Sequence, residues 1–277
     1  MIITNHNKGR LGNSIFRFFA NIIFCIVYDI NSRIVNNINK RPTIIIDDTY
    51  FINFSNNILN KTPIRNINKN AVLHFDGYFQ HDKIYTLFKP QIIEFIKNHP
   101  EIILTTDHNE TYKAIDLVNF DIISNKKYNI VIHLRLEDFI EISHVINPIS
   151  IKKIIDNLVS EYPNETICFV LNTPKTEIER KYINYLTENL SNYKIESNDV
   201  MTDFTIMRNA KTLVCSCSTL SWAASFLSNV VEKVYIPNYN NPDRIHETFK
   251  YPISNTVLYD FEKCSMENLL EILNNNL

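Results

Sequence analysis

Asn129-Ile130-Val131-Ile132-His133-Leu134-Arg135-Leu136-Glu137-Asp138 decides how this chain folds. The β-branched run lacks helical spacing and reads as a buried strand over Asn129 to Leu134. Side chains two apart on a strand share a face, so His133 and Arg135 project together from its carboxyl end. Downstream, helices are expected at Ser150 to Tyr162, at Pro174 to Leu190 with proline at its start, at Met201 to Ala210, at Thr219 to Ser228 and at Ser265 to Leu273. Strands fall between them at Thr166 to Leu171, Tyr193 to Glu196, Thr212 to Cys215 and Lys233 to Ile236. Strands alternating with helices define an α/β protein whose parallel sheet is covered on both faces. Such sheets bind ligands at the carboxyl ends of their strands, where His133 and Arg135 stand.

Upstream of this segment, Ile2 to Asn5 reads as a strand that enters a glycine turn, and Ser14 to about Tyr28 as the helix that follows. Strand, glycine turn and helix open a nucleotide-type α/β unit. Further strands are expected at Thr43 to Ile46 and Ala71 to Phe75, and a helix at Lys83 to Asn98 that ends at His99-Pro100. The polar stretch Ser124 to Asn129 is the expected hinge, which divides the chain into lobes 1–125 and 126–277. No internal repeat is visible.

Only three of the 277 residues are glycine, against about 7% in an average protein. Gly9 and Gly12 lie in Lys8-Gly9-Arg10-Leu11-Gly12-Asn13, and Gly77 lies in Asp76-Gly77-Tyr78-Phe79-Gln80. A chain this poor in glycine keeps it where the backbone turns with positive φ or must approach a ligand closely. The excess of isoleucine and asparagine reads as coding bias of an AT-rich genome, such as a large DNA virus or a low-GC bacterium.

A hydrophobic fraction of 45% is ample for a packed core. The net charge of −2 supplies no global field for nucleic acid or anionic membrane, so an anionic ligand needs a local site. Five cysteines without repeated spacing point to a reducing compartment. Cys215 and Cys217 are expected as buried thiols rather than a metal pair. The apolar run Ile15 to Ile30 is shorter than the roughly 20 residues of a membrane span, and Arg17, Asn21 and Asp29 interrupt it. No signal peptide or transmembrane segment is read. The expected location is the cytoplasm (host cytoplasm for a viral protein), with peripheral membrane association left open.

Four segments carry polar chemistry, and each has a bland alternative. Gly9-Arg10-Leu11-Gly12-Asn13 can aim backbone amides at an anion, or be a plain turn. Arg135 can clamp a phosphate bidentately, or pair with Glu137 or Asp138. Ser218 and Thr219 open a helix and can meet phosphate oxygens, or simply cap it. Asp203, sixteen positions before Thr219, sits in a first helical turn where a carboxylate also suits the helix dipole. Asp76 to Lys83 is a polar and aromatic turn, equally at home on a bare surface.

In order along the chain, these segments resemble the fucosyltransferase superfamily, most closely the bacterial-type α-1,2-fucosyltransferases of glycosyltransferase family 11. Gly9-Arg10-Leu11-Gly12-Asn13-Ser14-Ile15-Phe16 is similar to that family's opening G-x-L-G-N-Q-x-F, and Asp76 to Gln80 to its G-Y-F/W-Q turn. Val131 to Asp138 is similar to its H-x-R-R-x-D strand end. Asp203 to Met207 and Cys217 to Trp222 are similar to its closing D-x-x-x-M and N-S-T-F-S-W-W stretches.

The resemblance implies a GT-B-like fold, with two Rossmann-like lobes whose parallel sheets face a central cleft. It also implies a GDP-fucose donor, a glycan acceptor, inversion at the anomeric carbon and no metal or other cofactor. By position, His133 and Asp203 would contact the guanine end, while Arg135, Ser218 and Thr219 hold the diphosphate and the Gly9, Arg10, Gly12 and Asn13 loop closes over it. Tyr78 and Gln80 fall on the acceptor side. Asp138 is the expected general base with Glu137 in reserve, unless the donor phosphate takes the acceptor proton. Leu136 replaces the second arginine of the family pattern, Ser14 its glutamine and Ala223 its second tryptophan, which opens the choice of GDP-sugar. The expected activity is transfer of L-fucose to the 2-OH of a galactose-like acceptor in glycan biosynthesis. The other readings are a transferase for another GDP-sugar and a non-catalytic GDP- or glycan-binding scaffold.

Overall fold

The computed structural model describes residues 2–5, 9–30, 42–68, 70–119, 127–238, 250–262 and 264–274. Of the expected hinge, positions 124–126 lie outside the described residues. The described residues divide into two compact units, one within 2–119 and the other within 127–238 and 250–274.

The first unit runs β1 (Ile2–Asn5), α1 (Leu11–Val27), β2 (Thr43–Ile46), α2 (Asp48–Leu59), β3 (Val72–Phe75), α3 (Asp82–Asn98), β4 (Ile103–Thr105) and β5 (Thr111–Lys113), then a short 3-10 turn. Its sheet is parallel in the order β1-β3-β2, and β4 and β5 form a separate antiparallel pair. Helix α1 is apolar nearly all round, and Ser14 to Cys25 are buried without a break. A helix with no polar face becomes the centre of its unit. Phe16 and Phe19 meet the Tyr85 ring of α3 edge-on, and Phe24 stacks on Phe54 of α2 with centroids 4.2 Å apart.

The second unit runs β6 (Ile130–His133), α4 (Glu137–Glu141), α5 (Pro148–Glu161), β7 (Ile167–Val170), α6 (Glu177–Thr187), β8 (Tyr193–Glu196), α7 (Val200–Arg208), β9 (Thr212–Val214), α8 (Thr219–Leu227), β10 (Lys233–Pro237), β11 (Thr256–Tyr259) and α9 (Met266–Asn274). Its six strands are all parallel, in the order β11-β10-β9-β6-β7-β8. Numbered within the unit and read from β8, that order is 3-2-1-4-5-6, the doubly wound Rossmann arrangement. The chain steps outward from β6 through β7 to β8, then returns to β6's other side at β9. The order therefore reverses between β6 and β9.

Ile130, Ile132, Leu134 and Leu136 share one core with Ile151, Ile155 and Leu158 of α5, Tyr182 and Leu186 of α6, and Leu269 of α9. Helix α7 packs on β6, β7 and α8. Alternation along β6 thus sends Ile130 and Ile132 into that shared core and places Val131 and His133 on the opposite face. All four residues of β6 and of β7 are buried, as expected of central parallel strands.

Two local readings change. Helix α6 begins at Glu177, three residues beyond Pro174: Thr176 accepts from the Glu179 amide at 3.3 Å, and Glu179 accepts from the Thr176 amide at 2.6 Å. This reciprocal capping box places the start. Proline does open a helix, but at Pro148, where Asn147 caps α5 by accepting from the Ile149 amide at 2.9 Å. The glycine turn also shortens, because α1 begins at Leu11 and Gly12 is a buried residue of its first turn.

Candidate donor site at the β6 and β9 edge

The carboxyl ends of β6 and β9 are neighbours where the strand order reverses, the position at which open α/β sheets bind their ligands. His133 ends β6, and its Nδ1 lies 2.8 Å from the Ser216 Oγ in the loop after β9. Both residues are buried. Burial, then the charge of Arg135, lowers the His133 pKa to about 3, so the ring is neutral at physiological pH. A neutral imidazole bound to a hydroxyl at one nitrogen offers a hydrogen-bonding group to a ligand without adding charge.

Two residues on, Arg135 donates to Asp138 through Nε at 3.1 Å and through Nη2 at 2.8 Å and 3.1 Å to its two oxygens. The guanidinium also lies 5.3 Å from the Phe139 ring centroid. The loop carrying it is anchored from α6. The Glu179 carboxylate accepts from the Glu137 amide at 3.2 Å, as well as from the Lys175 and Thr176 amides and the Thr176 hydroxyl. Burial pushes this carboxyl up, but the hydrogen bonds from Thr176, Lys175 and Glu137 outweigh it and hold the pKa below its ordinary value. Glu137 has φ +25, a conformation that L residues keep only when their surroundings hold it. Leu136 packs into the core, so the site where the family pattern has a second arginine is apolar and buried.

Helix α8 opens the other wall of this edge. Ser218 is its N-cap and accepts from the Leu220 amide at 3.3 Å, and Thr219 is its first residue. The capping and anion-binding readings of Ser218 are compatible, because a capping hydroxyl still lies among the first amides of the helix. Behind them Trp222 is fully buried and stacked on Phe226 at 5.0 Å. Cys215 is buried, with its thiol raised to about 12 by burial, while Cys217 is half-buried, and neither forms a disulfide. Among the described residues no group of three His, Cys, Asp or Glu side chains could hold a metal ion.

Asp203 lies in the first turn of α7, the helix that follows β8. Its Oδ1 accepts from the Asn198 amide at 3.2 Å and from Asn198 Nδ2 at 3.0 Å. Asn198 Nδ2 also reaches Glu196 Oε2 at 3.1 Å, and the Tyr128 hydroxyl donates to Glu196 Oε1 at 2.6 Å. Burial raises the Asp203 pKa to about 6, against the lowering by the Asn198 bonds.

The remaining expected residues belong to the first unit and form a group of their own. Gly9 has φ +79, and an added Cβ would overlap the Asn13 amide. Its N–H donates to Asp107 Oδ2 at 3.0 Å, so a carboxylate holds the place where the sequence suggested an anion. Arg10 is exposed at the N-cap position of α1. Gln80 is buried and donates to Asn13 Oδ1 at 3.5 Å, which joins two motifs 67 residues apart. Tyr78 is 36% exposed. At Gly77 the constraint is not φ: a Cβ would lie 2.9 Å from the Asp48 carboxylate, which accepts from the Tyr78 amide at 3.1 Å and the Phe79 amide at 2.6 Å. The positive φ of this turn belongs to Phe79, at +55.

Sequence reasoning missed Asp48, Asp107, Glu179, Glu196 and Asn198. Thr176-x-x-Glu179 is a legible capping box, and Asp47 before a mixed apolar run is a legible N-cap for α2. Asp48, Asp107 and Glu196 act through partners distant in sequence, and Asn198, although its partners are two and five positions away, carries no periodicity or capping signal.

The reversal point of this doubly wound sheet brings a neutral histidine, an arginine and a helix N-terminus to the position where open α/β sheets bind their ligands. Residues 37–255 match the model of Glycosyl transferase family 11, and the chain belongs to that family. No curated protein matches the sequence. Similar solved structures include E. coli heptosyltransferase WaaC with ADP, at 8% identity and TM-score 0.48 over 100% of both chains. POFUT1 in complex with GDP-fucose is another, at 11% identity and TM-score 0.46 over 94% of this chain and 98% of that one. Among the described residues no helix is long and apolar enough to cross a membrane.

Proposed function

We propose that this glycosyltransferase moves L-fucose from GDP-fucose to a glycan hydroxyl, the 2-OH of a galactose-like acceptor, with inversion and without a metal. The observation that carries the reading is the 2.8 Å contact between His133 and Ser216, which binds the two strand ends of the reversal point into one polar edge with Arg135 beside it. In this reading Arg135 turns from Asp138 toward the diphosphate, and the Ser218 and Thr219 end of α8 supplies further donors. The acceptor oxygen attacks the anomeric carbon from the face opposite GDP, the bond from that carbon to the diphosphate oxygen breaks, and the electron pair leaves with GDP. The transition state is oxocarbenium-like, so charge compensation at the departing diphosphate carries much of the rate.

Asp138 is proposed to take the acceptor proton once Arg135 has moved to the diphosphate. Tyr78, the exposed aromatic side chain of the Gly77 turn, is proposed to meet the acceptor sugar. The test is incubation with GDP-fucose and a panel of galactosides, with and without EDTA, following GDP release and product mass. Fucosylated product in both conditions supports the reading. Consumption of a different GDP-sugar moves the donor assignment, and GDP binding without turnover on any acceptor favours a scaffold.

A further inference from the structure

We infer that Asn198 is a positioning and specificity residue that presents Asp203 to the donor's base and makes the site count the N–H groups of a guanine; this rests on the donor-site reading above. Asn198 follows Glu196, the last residue of β8, by two positions, and precedes the cap of α7, Asp199. Its side-chain nitrogen has two protons. One goes to Glu196 Oε2 at 3.1 Å and the other to Asp203 Oδ1 at 3.0 Å, while its backbone amide adds a second bond to the same Oδ1 at 3.2 Å. One amide thus holds two carboxylates that would otherwise repel each other.

The clamp has two consequences. Asp203 is only 7% exposed, its Oδ1 is engaged from two sides, and its Oδ2 accepts no hydrogen bond from the described residues. In this buried residue Oδ2 is the carboxylate oxygen left open to solvent or to a ligand's donor. Asn198, with both side-chain protons committed and its residue exposed, is left with a carbonyl Oδ1 that accepts nothing from the described residues. The two open acceptors, Asp203 Oδ2 and Asn198 Oδ1, match a base edge with adjacent N–H donors. Guanine provides N1–H and the N2 amino group. Hypoxanthine keeps N1–H and lacks the amino group, and adenine turns a lone pair at N1 toward the carboxylate.

The experiment is titration of the full chain with GDP, IDP and ADP by calorimetry, with phosphate chemistry common to all three. The wild type is expected to bind GDP about tenfold more tightly than IDP, the value of one hydrogen bond with a charged or oriented acceptor, and ADP more weakly still. Asn198→Ala is expected to bring the GDP-to-IDP ratio to about 1 while thermal unfolding shows a folded protein. Asn198→Ser, too short to span both acids, is read in its place if the alanine variant does not fold. A general loosening of the structure would weaken both nucleotides alike and leave the ratio unchanged, and an unchanged ratio overturns the inference. Equal binding of GDP and IDP by the wild type also overturns it, with the donor site left standing. A wild type that binds none of the three removes the donor-site reading as well.

Discussion

His133 at the end of β6 and Ser216 after β9 are 83 residues apart in sequence and 2.8 Å apart in space, both buried. Their contact ties the loop before α8 to the central strand. Ser216→Ala leaves a buried imidazole nitrogen without its partner, which costs about 1–3 kcal/mol. Urea unfolding is expected to show that loss together with weaker GDP binding. Unchanged stability would show that water replaces the hydroxyl.

The same histidine gives an acid sensitivity. Its pKa is about 3 in the folded protein against 6.5 for the free side chain, so the unfolded chain binds the extra proton between those values. Stability from this group is therefore full above pH 6.5 and falls as pH drops toward 3. Asp203 has the opposite sign: raised from 3.8 to about 6, it favours the folded state as pH falls through that window. His133→Gln is expected to flatten the loss of stability between pH 6.5 and 4, measured by denaturant midpoints. An unaltered slope would place the acid sensitivity elsewhere.

Donor binding is expected to follow Asp203 in its ionised form. Affinity for GDP-fucose, whose diphosphate diester has no titration near neutrality, should weaken as pH falls through about 6. Asp203→Asn should bind more weakly at pH 7.5 and lose that pH dependence. A wild-type profile flat from pH 7.5 to 5 would remove Asp203 from the base-binding role.

Arg135 and Asp138 are a partly exposed pair, with side-chain exposures of 17% and 45%, and such pairs contribute about 0–1 kcal/mol to stability. Arg135→Ala should accordingly unfold near the wild-type temperature while kcat falls on the order of 10²–10³-fold. Wild-type turnover by this variant would defeat the site assignment. Asp138→Asn separates two routes for the proton: loss of at least about 10²-fold in kcat fits a general base, and a retained rate assigns the proton to the donor phosphate.

Gly9 and Gly77 are each constrained for a different reason. Gly9→Ala forces an L residue to φ +79 against the Asn13 amide. Gly77→Ala displaces the Asp48 carboxylate from the Tyr78 and Phe79 amides. Each is expected to cost about 1–3 kcal/mol, read from denaturant midpoints. Asp48→Ala should lower stability along with Gly77→Ala, and the double variant should lose less than the sum, since both changes break the same bonds. Strict additivity would uncouple the two residues.

The parallel α/β class was legible because buried parallel strands such as Ile130-Val131-Ile132 and Ile167-Cys168-Phe169-Val170 need continuous apolar runs, and the helices between them have caps and breaks of their own. Helix α2 was missed because only Phe51, Phe54 and Ser55 of its residues are buried, too few to stand out as an apolar face. Strands β4 and β5, three residues each, are below the length at which alternation can be recognised.

His133, Arg135, Ser218 and Thr219 were readable as types at the ends of recognisable elements, since strand ends and helix starts carry local signals. Two of their local partnerships were readable as well, Arg135 with Asp138 and Ser218 as the cap of α8. What holds Glu137 at φ +25 and which side chain crowds Gly77 were not, because Glu179 and Asp48 reach these positions only across the fold. Hydrophobic periodicity and capping act over a few residues, so the sequence by itself determined the elements, the class and the candidate polar ends. Strand order, burial and the bonds between distant side chains arise only when the sheets close. The tertiary structure therefore decided that the β6 and β9 ends meet at the reversal point, that His133 is neutral, and that Glu179 holds the Glu137 amide.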